Sequence, residues 1–208
     1  MKRIHQVAVL LQLLTSSFNC FAQHDSLVTE RINVFGPIQF QNKVYNLSHT
    51  SYTADSATYS TYKQGYLAAG DAPDTFRNMI IIDVFTGTFN LEDIANAKVD
   101  ELRELQKTNP VVNYQSFTNR KTGEFMLDFI ITENSPDGQY IDMAERSIYR
   151  YVTVTAKSGQ QCGVLFGVIT RSYGENVDPF MAVLRSKARL DLMRNVGVFK
   201  IPEITIPK

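Results

Sequence analysis

The stretch "NMIIIDVFTG", residues 78–87, decides how the chain can fold. It is apolar almost throughout and ends at Thr86 and Gly87, so it reads as a strand. Alternation puts Met79, Ile81, Asp83 and Phe85 on one face and Ile80, Ile82 and Val84 on the other. "EFMLDFIIT" (124–132) divides the same way, with Phe125, Leu127, Phe129 and Ile131 opposed to Met126, Asp128 and Ile130. In "CGVLFGVIT" (162–170), Val164, Phe166 and Val168 oppose Leu165 and Ile169. A sheet with one wet face alternates apolar with polar residues, and these strands do not. Both faces of the sheet are therefore expected to be covered.

Short strands flank this core. "PIQFQ", "KVYNLSHTSY" and "ATYSTYKQGYL", between Ile32 and Leu67, are rich in Tyr, Thr and Val, and "AAGDAPD" (68–74) reads as a loop. "VVNYQSF" (111–117) and "SIYRYVTVT" (147–155) add two more strands. The links "TNRKTG" and "ENSPDGQ" carry the Gly, Pro, Asn and Asp of hairpin turns, which predicts a mainly antiparallel sheet.

Two helices are expected. The first covers "NLEDIANAKVDELRELQKTNP": Asn90 caps it, Asp93 stands in a capping-box-like position, and Asn109-Pro110 stops it. Leu91, Ile94, Ala95, Val99, Leu102 and Leu105 form its apolar stripe. In the second, Asp178 caps and Pro179 opens a helix to about Asn195, with Met181, Leu184, Ala188 and Leu192 inward. Arg185, Lys187, Arg189 and Arg194 read as its solvated outer side. The fold class these elements predict is α+β, an antiparallel β-sheet covered by helices.

The chain begins with a three-part export pattern. Lys2 and Arg3 precede an apolar run from Val7 to Leu14, followed by "TSSFNCFAQHD". The run is too short to span a bilayer and fits a secretory signal peptide over 1–22, cut after Ala22. Lipidation at Cys20 is the alternative, though Phe18 and Asn19 stand where small residues are wanted. Residues 23–30 are then a flexible lead-in, and 31–208 a single domain. Removing 22 of 208 residues leaves 186, and losing Lys2 and Arg3 leaves 19 basic against 21 acidic residues. A charge of −2 does not point to nucleic acid. Cys162 is the one cysteine left after that cut, so stability must come from the core, which at this length buries roughly 70% of the unfolded chain's surface.

The element order, with "YKQGYL", "MIIIDVF" and "RYVTV", resembles the PsbP/Mog1-like proteins, including small exported bacterial PsbP-like proteins, over about Ile32 to Pro207. The resemblance implies an α/β/α sandwich and an accessory or binding role. It carries over no site residue.

Enzyme signatures are sparse. The sequence has no G-x-S-x-G, H-E-x-x-H, P-loop or G-x-G-x-x-G pattern. After the leader only His24 and His49 remain as histidines, and Cys162 opens an apolar strand, as a packing residue would. Glu133, Asp137 and Asp142 lack calcium-loop spacing, so no metal and no cofactor is expected. Asp83 and Asp128 each interrupt an apolar strand, and a buried carboxylate needs a cation or donors. Arg146 and Arg150, on one face of a later strand, are the nearest partners, making these four a candidate polar patch. Tyr59, Tyr62 and Tyr66, in a tyrosine-rich third that also holds Tyr45 and Tyr52, form a candidate binding surface. Asn46 opens a glycosylation sequon.

The function these features predict is an exported, periplasmic or secreted, non-enzymatic accessory or protein-binding domain whose partner is another protein. Two readings stay open beside it: a carboxylate-dependent hydrolase, and an inhibitor or immunity-type protein acting on a secreted toxin. Nothing in the chain fixes an oligomeric state.

Overall fold

A computed structural model describes residues 28–56 and 59–207, apart from the side chains of residues 55 and 56. The expected leader, Cys20 and His24 lie outside the described residues. The strands are β1 (Ile38–Phe40), β2 (Lys43–Ser56), β3 (Tyr59–Ala68), β4 (Asn78–Gly87), β5 (Asn113–Asn119), β6 (Glu124–Asn134), β7 (Ile141–Thr155) and β8 (Gln161–Tyr173). The helices are α1 (Leu91–Gln106), α2 (Val177–Leu184) and α3 (Ala188–Val198). All eight strands join one sheet in the order β1-β2-β3-β4-β8-β7-β6-β5, and each neighbouring pair is antiparallel.

The expected α+β class, with its α/β/α sandwich, is overturned. The chain is mostly a curled half-barrel of antiparallel sheet with three short helices. Two causes separate expectation from structure. The strands run well past their apolar segments, to 14 residues in β2, 15 in β7 and 13 in β8. The last helix, expected as one piece over 179–195, breaks into segments of 8 and 11 residues. Ser186 sits at the break: its Oγ donates to the Val183 carbonyl (2.7 Å) and accepts from the Ala188 amide (3.2 Å). Such local bonds compete with helix continuation.

Each face of the sheet has its own cover. On one, Phe85, Leu127, Phe129, Tyr151 and Leu165 pack with Ala95, Val99 and Leu102 of α1. Asn90 caps that helix, its Oδ1 accepting from the Glu92 amide at 3.0 Å. On the other face, Ile80, Ile82, Val84, Ile148, Val164 and Phe166 pack with Ile32 and Val34, with Val196 of α3, and with Ile204 of the C-terminal segment. The two ends of the domain meet there: the Thr205 amide donates to the Ile32 carbonyl at 2.9 Å. Glu30, expected from sequence to sit in a flexible lead-in, accepts from the amides of Ile32 (2.6 Å) and Val34 (2.8 Å) and so fixes the start of the domain.

Close packing on the α1 face depends on Gly167 of β8. A Cβ there would lie 2.5 Å from Ile81 Cγ1 and 3.0 Å from Tyr149 Cδ1. Ile81 and Tyr149 flank Gly167 on the neighbouring strands, so the missing side chain is the space that they fill. Gly167→Ala is expected to cost about 1–3 kcal/mol in urea unfolding, through overpacking at the sheet centre. Adding Ile81→Ala should recover part of that loss, and a strictly additive double variant would show that the contact is not the cause.

Candidate functional site

Two of the buried charged residues, Asp128 and Arg146, meet on the α3 face. Leu127 and Phe129 turn to the α1 face, so alternation sends Asp128 to the opposite side, where it is completely buried. Arg146 of β7 grips it with two bonds, Nε to Oδ1 at 3.0 Å and Nη2 to Oδ2 at 3.1 Å. Arg189 of α3 adds a third, Nε to Oδ2 at 2.8 Å. Arg146 Nη2 also donates to the Arg189 carbonyl at 2.8 Å, which ties the first turn of α3 to the sheet.

Arg150 repeats the device at the other end of the helix. Its Nη1 donates to the Phe199 carbonyl and its Nη2 to Glu124 Oε1, both at 2.8 Å. Four strand residues separate the two arginines, about 13 Å. Ten residues separate the two carbonyls, about 15 Å along a helix. The spans match, so β7 holds α3 at both ends. The structure thus brings Asp128 and Arg146 together and adds Arg189, which was expected from sequence on the solvated side, while Arg150 answers Glu124 at the far end of the helix.

Asp83 does not join them. Its neighbours Ile81 and Phe85 belong to the α1 face, so the thickness of the sheet divides Asp83 from Asp128. The expected four-residue patch is not one patch, and the paired carboxylates that a hydrolase would need do not converge. Asp83 has Lys63 as its cross-strand neighbour, Nζ to Oδ2 at 3.9 Å. Lys63 is 53% exposed, which makes it a weak partner for a side chain only 13% exposed. Burial therefore dominates, and the Asp83 carboxyl is pushed up to about 6 despite the Lys63 charge. Burial, with Asp83 and Glu101 nearby, likewise raises Tyr151.

The tyrosines scatter as well. Tyr66 is fully buried and its hydroxyl donates to the Val34 carbonyl at 2.6 Å. Tyr62 packs on the α3 face and against Tyr52, ring centroids 4.8 Å apart. Tyr59 stacks on Phe85 at the α1 face. These three do not form one surface. Cys162 is buried and its thiol is pushed up by burial, the opposite of nucleophile activation. His49 is lowered by partial burial and by the Lys63 charge. Asp137 accepts from Ser135 Oγ and the Gln139 amide, the pattern of a turn. Among the described residues no group of three or more His, Cys, Asp or Glu is placed to hold a metal ion.

Sequence reasoning missed a second buried pair. Glu145 of β7 accepts from Arg171 Nε and from Ser147 Oγ, both at 2.8 Å. The Arg171 guanidinium lies 4.0 Å from the Phe76 ring centroid. The signal was present in "MAERSIYRYV": Glu145 and Arg146 are adjacent in a strand covered on both faces, so each must find a partner on its own side.

These features define a predominantly β domain whose C-terminal helix is pinned by arginines. The chain belongs to a protein family whose model matches residues 32–201. No curated protein and no solved structure matches it.

Removing Asp128 would leave Arg146 buried and uncompensated. Asp128→Ala is expected to lose about 3–5 kcal/mol in denaturant unfolding, against about 1 kcal/mol or less for the exposed Asp191→Ala. Asp83 carries the opposite sign. Its folded value lies above the ordinary carboxylate value of 3.8, so the stability it contributes is full below about pH 4 and is lost as pH rises through about 6. Asp83→Asn should therefore be more stable than the parent at pH 7.5 and should flatten the stability profile between pH 4 and 6. A variant less stable than the parent at pH 7.5 would show that the Lys63 contact outweighs burial.

Proposed function

We propose that this protein is an exported, non-enzymatic binding domain that acts by contact with another protein, and that α3 is its contact surface. The observation that supports this reading is the outward side of α3. Leu190 is 53% exposed and Val198 75% exposed, while Leu192, Met193 and Val196 of the same helix pack inward. A helix apolar on two sides has a second side left to cover. Arg146 and Arg150 hold its ends, so a partner would meet a surface already ordered, with little conformational entropy left to lose. Asp128, Glu145 and the arginines that face them are already bound to one another or to helix carbonyls, in keeping with a role exercised at the surface.

Chemical cross-linking of the exported protein in its host, read by mass spectrometry, tests this beside a Leu190→Asp/Val198→Asp variant. The protein cross-linked to the parent should disappear from the variant. The variant's stability should stay within about 1 kcal/mol of the parent, since both changes lie at the surface. A partner retained equally by a folded variant would remove α3 as the contact.

A further inference from the structure

A cleft of about 350 Å³ opens between the α2–α3 pair and the ends of β4, β7 and β8. Its apolar wall is Phe180, Val183, Leu184 and Leu192, and its polar wall includes Arg77, Arg146 and Arg171. The sign of its field comes from the charged groups that line it or bond a lining residue. Arg77, Arg146 and Arg171 line it, Lys43 donates to Asn78, Arg189 accepts from Arg146 through its carbonyl, and the Arg185 amide donates to the Val183 carbonyl. Against these six cations stand Asp128, Glu145 and Asp71, the last bonded to the amides of Arg77 and Asn78. Three positive charges are left over.

Those charges are not equally engaged. Arg146 and Arg171 have carboxylate partners, whereas no described residue bonds the exposed Arg77 guanidinium. Arg189 also keeps a buried Nη2 with no partner, so the network around Asp128 has more donors than acceptors. An apolar wall facing a surplus of guanidinium selects a ligand with both characters, and the planar guanidinium fork matches a carboxylate. The volume lies at the small end of the roughly 300–1,000 Å³ seen for ligand sites, which favours a short chain over a long-chain lipid.

We propose that this cleft binds an aliphatic monocarboxylate of medium chain length, its carboxylate at Arg77 and its tail along Phe180, Val183 and Leu192. The site is independent of the partner contact, since Leu190 and Val198 do not line it. Titration calorimetry with sodium octanoate, on the whole chain, is the test, with octyltrimethylammonium as a ligand of the same tail and opposite charge. Octanoate should bind saturably at one site and shift the amide resonances of Val183 and Leu184. Arg77→Glu should weaken it at least tenfold at an unchanged melting temperature, because Arg77 takes no part in the buried pairs. The cationic ligand should not saturate. Absence of saturable octanoate binding up to about 5 mM (near 3 kcal/mol of affinity) would overturn the proposal. Equal affinity of Arg77→Glu, or equal binding of the cation, would overturn it as well.

Discussion

One carboxylate, Asp128, sets the terms for the α3 face. A fully buried charge is tolerable only when every part of it is bonded, and Asp128 reaches that state through Arg146 of the next strand and Arg189 of a helix 61 residues away. The three must arrive together. Asp128 lies opposite Ile148, and Arg146 opposite Ile130, in the β6–β7 ladder. A slip of one residue would turn Asp128 towards the α1 face and away from both arginines. The ion network thus specifies strand register and helix placement at once, a role better attested for buried charge than net stabilisation.

The two covers are held by different physics. α1 carries an apolar stripe in which Ala95, Val99 and Leu102 are buried, and hydrophobic burial suffices to seat it. α3 buries only Val196 fully. Its seat depends on the arginine bonds to its end carbonyls and on the residue that closes it, Phe199, which stacks on Phe166 with ring centroids 4.4 Å apart. A helix with apolar residues on both sides and few fully buried needs such anchors, because burial alone would not choose its orientation.

This difference explains what the sequence showed and what it hid. Strands such as 78–87 and the α1 stripe were legible, because near-continuous apolarity and a 3.6-residue period are local signals. The extension of β2 and β7 was not: polar residues such as Thr53 and Glu145 enter strands through ladder pairing with their neighbours. The break at Ser186 was masked by an apolar spacing that continues across it. Asp128 and Arg146 were legible because a charge inside an apolar strand must be answered. Asp83 was wrongly grouped with them, since alternation within one strand does not say which face it shares with another. Arg189 was missed because a helical arginine points to water by default, and only the tertiary position of α3 turns it inward.

The strand order has a consequence for how the chain reaches this state. β1 to β4 form one meander and β5 to β8 another, and within each every strand pairs with its sequence neighbour. Among the described strands, only β4 and β8 pair across the two meanders, with Asn78 opposite Thr170 and Phe85 opposite Gly163. Loop-closure entropy is therefore concentrated on a single seam at the centre of the sheet. Either meander can zip from its turns outward, on the microsecond scale of hairpins. The docking of one half on the other is the non-local step of the sheet, the kind of contact that goes with slower folding across two-state proteins.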